Sequence, residues 1–389
     1  MHDVLVVGAG LSAAAACAVL KQKYRVLVLE TRNHLGGNCY DYKVQGTHIQ
    51  RYGAHIYHNP NAELHKWVSQ FTSWIELPTK RHYVEAEVFW KEGLKRCPFP
   101  YSQETIEALG EDLSDEAIID TFFRGYSEKQ WGMPWENLPM TIRNRLPKRL
   151  GGPSDFFPGQ IQALPQFGYS YMMENMFDGC EVILGNDPND WPHFIPASGR
   201  VIYCGRLDLI RTPGGSVLGN DRIEYELQSG ETPSYGQRTV VNDGPEGIKV
   251  GYERMDLNVQ GAWLKHVNVE YQWGTAALPV PGTPAVLNYC HKFRPETRRV
   301  QHALLTGGTS EIYHTETPRH HGGSDIIAPT YPAPPTHMTR KILAHLNVRA
   351  KELYPGLIPL GRVAQHQYMD MHQAIGAGKA VGERFVAMA

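Results

Sequence analysis

The chain has 389 residues, 42% of them hydrophobic and 20% charged, enough to bury a full core in two or three structural units. A formal net charge of -2 sets up no long-range field that would gather nucleic acid or anionic membrane, so an anionic ligand has to be held by local basic residues and the expected partner is small. Six scattered cysteines with no C-x-x-C pair lack the spacing of a structural zinc site and read as reduced, buried thiols.

In chain order, Met1 to Val7 passes straight into a strand without a basic n-region or a cleavable apolar stretch. No apolar run long enough to cross a bilayer follows, which predicts a cytoplasmic protein with no membrane partner. Asp3-Val-Leu-Val-Val7 is the β-branched run of a buried parallel strand, and Gly8-Ala-Gly10-Leu11-Ser12-Ala13 turns into the alanine-rich helix Leu11 to Leu20. Gly8 permits the tight turn, and Gly10 lets backbone N–H groups approach a pyrophosphate on the positive end of the helix. Ala13 stands in for the third glycine of the dinucleotide fingerprint. The second strand, Tyr24 to Leu29, ends in Glu30, whose carboxylate can accept hydrogen bonds from both hydroxyls of an adenosine ribose and disfavours a 2′-phosphate. This unit suits NAD and FAD alike. Arg32-Asn-His-Leu-Gly36-Gly37-Asn38 then adds a second glycine turn with a guanidinium. It is similar to the extension that glutathione-reductase-like flavoproteins set against the FAD pyrophosphate, which points to FAD and adds Arg32, Gly37 and Asn38 to the cofactor side.

From about Cys97 to Arg145 the pattern is helical, with Ser102 and Ser114 as candidate caps. Beyond about Gly151, Pro and Gly recur among short strand-like runs such as Thr239–Val241 and Leu257–Val259, which suggests a mixed or antiparallel sheet. The stretch His314 to His321 holds three histidines, but no carboxylate or cysteine completes a ligand set at regular spacing. It reads as a polar surface loop beside Gly322 and Gly323, and no metal is expected. Near the C-terminus Gly361-Arg362 follows an apolar segment. Tyr368-Met-Asp370-Met371 opens a loop entering a helix through Lys379 to Ala387, with Asp370 as candidate N-cap.

The helical segment carries Phe122-Phe123-Arg-Gly125-Tyr126-Ser-Glu-Lys-Gln130-Trp131-Gly132, then Leu138-Pro139 and Arg145-Leu146-Pro147. It resembles the substrate-binding segment of the UDP-galactopyranose mutase family, Phe-Phe-x-Gly-Tyr-Thr-x-Lys-Gln-Trp-Gly followed by Arg-Leu-Pro on a loop. Gly53-Ala-His55-Ile56-Tyr-His58 resembles the family's flavin-side segment, and Asn288-Tyr-Cys290 with Pro295-Glu-Thr-Arg298 resembles its Asn-Tyr and Pro-x-Thr-Arg segments. Tyr331-Pro332 and Gly361-Arg362 with Tyr368-Met-Asp370 complete the set, in the same order along nearly the whole chain.

The resemblance implies roles for these positions. Tyr126 would stack on or flank the uracil, Trp131 would line the sugar pocket beside Phe122 and Phe123, and Arg145 and Arg298 would clamp the two phosphates. Guanidinium forks suit that task, because they make bidentate bonds to phosphate and neutralise a leaving group. Tyr331 and Tyr368 would complete the phosphate cage, Asp370 would support the substrate side, and His58 would lie near the isoalloxazine. His55, Ile56, Arg362, Tyr368, Asp370 and Met371 would hold the flavin end of FAD alongside Gly8, Gly10, Leu11, Ser12 and Glu30, and the C-terminal helix would aim its N–H groups at the flavin. Taken alone, Tyr126 and Trp131 would pass for core aromatics, Arg145 for a solvated loop residue, Arg298 for part of a surface charge pair, and His58 for an interior histidine. The implied activity interconverts pyranose and furanose forms of a nucleotide sugar. By the same resemblance, reduced FAD would attack the anomeric carbon through N5, the nucleotide would leave, and the sugar would reclose through a different hydroxyl.

Some positions depart from the family pattern: Asp155-Phe156-Phe157 stands for Asn-Tyr-Phe, His366-Gln367 for Tyr-Lys or Tyr-Arg, and Gly205-Arg206 for Gly-Pro. The Tyr-Arg pattern is missing from Gly214 to Glu226, and Leu77 to Pro98 matches poorly. UDP-galactose is the expected substrate, with UDP-N-acetylgalactosamine, UDP-arabinose or another nucleotide as alternatives; an amine-oxidase-like redox flavoenzyme would share the two FAD-binding ends. The expected architecture is α/β: a Rossmann-like FAD-binding domain (1–73, 164–212, 335–389), an inserted helical domain (97–145) and an antiparallel-sheet substrate domain (74–96, 146–163, 213–334). The expected partners are the nucleotide sugar and an external reductant such as NAD(P)H or a reductase, with a homodimer left open.

Overall fold

The computed structural model describes residues 1–77, 84–144, 157, 159–224, 238–241, 249–252, 259–277, 284–320 and 330–388. The chain divides into two compact units: residues 1–205, 265–335 and 356–389 form the first, and residues 206–264 and 336–355 the second.

Two sheets organise the first unit. One is wholly parallel, in the order Glu181–Leu184, Val26–Glu30, Val4–Val7, Val201–Tyr203, Leu357–Pro359. Its central strands, VLVV and VLVLE, are apolar without alternation because both faces are covered. The helix Leu11–Leu20 follows the first strand, and all ten of its residues are buried. Against it lies the C-terminal helix Met371–Ala387, at a separation only small residues allow. A β-carbon on Gly378 would fall 2.1 Å from the Ser12 carbonyl oxygen. The alanines of one helix and the glycines of the other are thus a packing device that brings the two helix N-termini to the same end of the sheet. Asp370 caps the C-terminal helix in a reciprocal box with Gln373.

The second sheet has seven strands in the order Thr330–Pro332, His266–Thr275, Ile312–Arg319, Arg298–Gln301, Val286–Tyr289, Val84–Trp90, Gly93–Pro98. It is antiparallel except where Val286–Tyr289 runs parallel to Val84–Trp90. The strand Ile312–Arg319 corrects the reading of His314 as a loop residue: His314 is fully buried at mid-strand. Its alternating inward positions, His314 and Glu316, are polar, so the hydrophobic signal of a half-buried strand is missing. Of the cysteines, all free, Cys180 and Cys204 are half-buried and the other four buried.

Helices Gln103–Leu109 and Asp115–Ile118 start at Ser102 and Ser114, and the second runs into a π-helical turn, Ile119–Arg124, then the helix Gly125–Trp131. The second unit contains the helix His337–Leu353 and two antiparallel strand pairs, Arg222–Glu224 with Val259–Gly261 and Arg238–Val241 with Lys249–Tyr252. Inside it the fully buried Asp208 is matched by Arg206 at 2.6 Å and the Leu264 N–H at 3.2 Å. No helix among the described residues is long and apolar enough to cross a membrane.

Candidate functional site

At the end of the parallel sheet the two glycine turns touch: a β-carbon on Gly37 would sit 3.0 Å from the Gly10 Cα. No side chain therefore intervenes between the turn that opens the first helix and the backbone after Arg32. Glu30 accepts from the Ala9 N–H at 2.7 Å and from the Arg32 N–H at 2.9 Å, so its carboxylate is fixed at the strand end with lone pairs to spare. Arg32 donates to the Asn38 side-chain oxygen at 3.3 Å and lies over the Tyr52 ring at 4.6 Å. This arrangement can hold a dinucleotide pyrophosphate on backbone N–H groups and a ribose on Glu30.

A cleft of about 310 Å³ adjoins this end, lined by Asn38, His55, Ile56, His58, Arg362, Tyr368, Asp370 and Met371 on one side. Phe122, Phe123, Tyr126, Trp131, Arg298 and Tyr331 line it as well. Of the site residues expected from sequence, these fourteen are brought together. Gly8, Gly10, Leu11, Ser12, Glu30, Arg32 and Gly37 stand apart at the sheet end, and Arg145, with Asp155 and Phe156, falls outside the described residues. Tyr52, Gln130, Tyr271 and Glu316 also line the cleft and were not anticipated. Gln130 was within reach, lying in the quoted motif; Glu316 was hidden by the lack of apolar alternation around it.

The helix Gly125–Trp131 is seated by two residues of that motif. Gly125 faces the Cys290 carbonyl so closely that a β-carbon would lie 2.3 Å from its oxygen. Lys129 Nζ donates to the carbonyls of Tyr289 at 2.8 Å, Glu296 at 2.7 Å and Arg294 at 3.4 Å. Burial draws the Lys129 pKa down to about 8. The helix is thereby clamped to the connection that leads into Arg298. Trp131 meets Tyr331 and Tyr368 edge-on, with centroids 5.4 and 5.7 Å away, and Gln130 donates to the Tyr331 hydroxyl. Burial pushes the Tyr331 phenol well above its ordinary pKa, so it remains a hydrogen-bond donor.

Arg298 sits directly across from Glu316 in the sheet, and its Nε donates to Glu316 Oε2 at 2.6 Å. Burial alone would raise the Glu316 carboxyl, but Arg298 and His314 outweigh it and bring the pKa down to about 2. Burial disfavours the Arg298 charge, yet Glu316 more than offsets it and the guanidinium stays ionised. Near the C-terminal helix, His58 stacks on Phe157 at 3.6 Å, bonds Gln160 through Nδ1 at 2.9 Å, and has Nε2 3.7 Å from Asp370. His55 is held by the Gln50 side chain, which takes its N–H at 2.7 Å and meets its carbonyl at 3.1 Å; burial lowers the His55 pKa to about 4. Arg362 donates to the Met369 carbonyl and lies 5.1 Å over Tyr368. Among the described residues no group of three or more His, Cys, Asp or Glu side chains could hold a metal.

Two family models match the chain: an NAD(P)-binding Rossmann-like domain over residues 6–71 and UDP-galactopyranose mutase over residues 121–246. A UDP-galactopyranose mutase of Mycoplasma genitalium is 31% identical over 69% of this chain and 77% of its own length. A dTDP-fucopyranose mutase of Escherichia coli is 27% identical over 60% of this chain and 71% of its own length. In fold, a crystal structure of reduced UDP-galactopyranose mutase superposes with a TM-score of 0.64 at 13% identity, covering 100% of this chain and 96% of the other.

Proposed function

The chain belongs to the UDP-galactopyranose mutase family of isomerases, and from that premise we propose that its cleft interconverts the pyranose and furanose forms of a nucleotide sugar, UDP-galactose first among them. The observation that carries the reading is the shared lining of one cleft. The segments next to the glycine turns (Asn38, His55, His58, Arg362) face the same space as an ionised arginine and an aromatic set (Arg298, Tyr126, Trp131, Tyr331).

The cofactor we assign is FAD, for which the touching glycine turns and the fixed Glu30 leave a fitting cradle. Gly8, Gly10, Leu11, Ser12, Glu30, Arg32, Gly37 and Asn38 would hold its adenosine and pyrophosphate, and His55, Ile56, His58, Arg362 and Met371 its flavin end. Reduced FAD, when bound there, would supply a nucleophilic nitrogen, N5, for the anomeric carbon of the sugar. Everything else falls to the chain. Arg298, oriented by Glu316, neutralises charge on the departing diphosphate, where a preformed guanidinium stabilises developing charge without reorganising. Tyr331 and Tyr368 donate to phosphate oxygens, Tyr126 flanks the base, and Trp131 with Phe122 and Phe123 walls the sugar from water. Arg145 is proposed as the second phosphate arginine. Asp370, capping the C-terminal helix and facing His58, supports the sugar side. An external reductant, NAD(P)H or a reductase, keeps the protein in its active state.

The dTDP-fucopyranose mutase relative favours a second reading, the same chemistry on a dTDP sugar. Anaerobic incubation of dithionite-reduced protein with UDP-galactofuranose and, in parallel, dTDP-fucofuranose separates the two. Formation of UDP-galactopyranose by reduced protein alone supports the first; conversion of only the dTDP sugar transfers the assignment. Conversion of neither, with FAD bound and reducible, overturns both.

A further inference from the structure

Behind Arg298 runs a buried line of hydrogen bonds with one direction throughout. The Gln50 backbone N–H donates to His302 Nδ1 at 3.3 Å. Since that nitrogen accepts, the His302 proton is on Nε2, which meets His314 Nδ1 at 2.9 Å. His314 therefore carries its own proton on Nε2, 3.1 Å from Glu316 Oε1, and the other Glu316 oxygen takes Arg298 Nε. A backbone amide thus fixes two tautomers in sequence and fills both oxygens of the carboxylate that holds the arginine.

The fold places these groups by simple rules. Glu316 and His314 are two residues apart on one strand and share its face, while Glu316 and Arg298 are cross-strand partners. His302 opens the short helix His302–Thr306 after the Arg298 strand, and Trp273 stacks parallel to it at 5.7 Å. Both imidazoles are 0% exposed. Burial and the neighbouring His314 hold the His302 pKa near 3, so it is neutral over the working range. Among the described residues Glu316 is Arg298's sole hydrogen-bond partner, and it binds only Nε. The line begins at Gln50, whose side chain fixes the backbone of His55 on the cofactor side of the cleft.

We propose that His302 and His314 are positioning residues: acting through Glu316, they hold the Arg298 fork in the orientation that receives the diphosphate of the nucleotide sugar. The inference rests on the reading of Arg298 as diphosphate anchor given above. Without the His314 proton, Glu316 has one buried oxygen lacking a donor and can rotate, and the guanidinium loses its fixed direction while keeping its charge.

His314→Asn and His314→Gln test this on the full flavin-loaded protein. The Asn side chain can still accept from His302 but cannot reach Glu316, whereas the Gln amide nitrogen falls near the position of Nε2 and can donate to it. For His314→Asn the expected result is a rise of about tenfold in the UDP dissociation constant and a fall of at least about tenfold in kcat/KM, and for His314→Gln values within about threefold of wild type. Equal effects of the two substitutions, or none in either while wild type binds and converts substrate, would overturn the relay. ¹⁵N-histidine NMR of the unmodified protein gives a readout that depends neither on turnover nor on the folding of variants. His302 and His314 both held as Nε2–H tautomers at about pH 8 support the chain of bonds, and rapid tautomer exchange or the Nδ1–H form at either site refutes it. If wild type fails to bind UDP while both tautomers are found, the diphosphate reading has failed and the relay's geometry has not.

Discussion

Gly125→Ala sets two effects of opposite sign against each other. Gly125 lies at the start of a helix with ordinary helical backbone, so alanine adds no dihedral strain there and raises helix propensity by about 1 kcal/mol. The added carbon, however, would stand 2.3 Å from the Cys290 carbonyl oxygen, and ordinary contact needs the helix to withdraw by roughly 1 Å. It cannot withdraw freely, because Lys129 ties it to three carbonyls of the same connection. Overpacking of this kind opposes the propensity gain with about 1–3 kcal/mol, leaving a net destabilisation of about 0–2 kcal/mol. Activity is expected to suffer more than stability. The same shift moves Tyr126 and Trp131 relative to Arg298, and a displacement of about 1 Å can lower turnover by about a hundredfold. Urea unfolding measures the first quantity and kcat/KM of the reduced protein the second. A Gly125→Ala protein that is more stable than wild type and fully active would refute the reasoning, since the helix would then have had room to spare.

Further outcomes follow from the same geometry. Gly378→Leu drives the C-terminal helix off the Ser12 carbonyl and is expected to destabilise by at least about 1–3 kcal/mol and to release bound flavin, read from visible absorbance after gel filtration. Arg298→Ala strands the buried Glu316 carboxylate and is expected to lose about 3–5 kcal/mol of stability. Adding Glu316→Gln should return much of that stability without restoring UDP binding, checked by unfolding and by titration calorimetry. His55 and His302 have folded pKa values near 4 and 3, below an unfolded value of 6.5. The unfolded chain therefore binds more protons as pH falls below 6.5, and each histidine withdraws up to about 1.4 kcal/mol of stability per pH unit until its folded pKa is reached. Glu316, folded value about 2 against 4.5, adds to the loss below pH 4.5. Urea midpoints from pH 7 to 4 should fall progressively with pH; His302→Phe should flatten the slope between pH 6.5 and 4, and an unchanged slope would place the proton uptake elsewhere.

The N-terminal unit was legible because local chemistry dictates it. The strand Val4–Val7, the helix Leu11–Leu20 and the acid Glu30 each carry a backbone or ligand requirement visible in a few residues. Ser102, Ser114 and Asp370 were readable as caps for the same reason. The seven-stranded sheet was far less so. Its strand Ile312–Arg319 turns histidine and glutamate inward, and a polar inward face is tolerated only through partners on other elements, Arg298 for Glu316 and His302 for His314. Pocket membership of Tyr271 and Glu316 likewise depends on cross-strand register, which the sequence of either strand alone does not encode. Family resemblance marked Arg298 and Trp131, but it said nothing of what holds them.

The most direct measurement of the central claim asks whether the bond between the anomeric carbon and the diphosphate breaks in this cleft. UDP-galactopyranose carrying ¹⁸O in the bridging position is incubated anaerobically with reduced protein, and the label is followed by ³¹P NMR. The account predicts migration of ¹⁸O into non-bridging β-phosphate positions with reduced wild type, none with the oxidised form, and strong suppression in Arg298→Ala. A label that stays in the bridge with reduced, flavin-loaded wild type would contradict it.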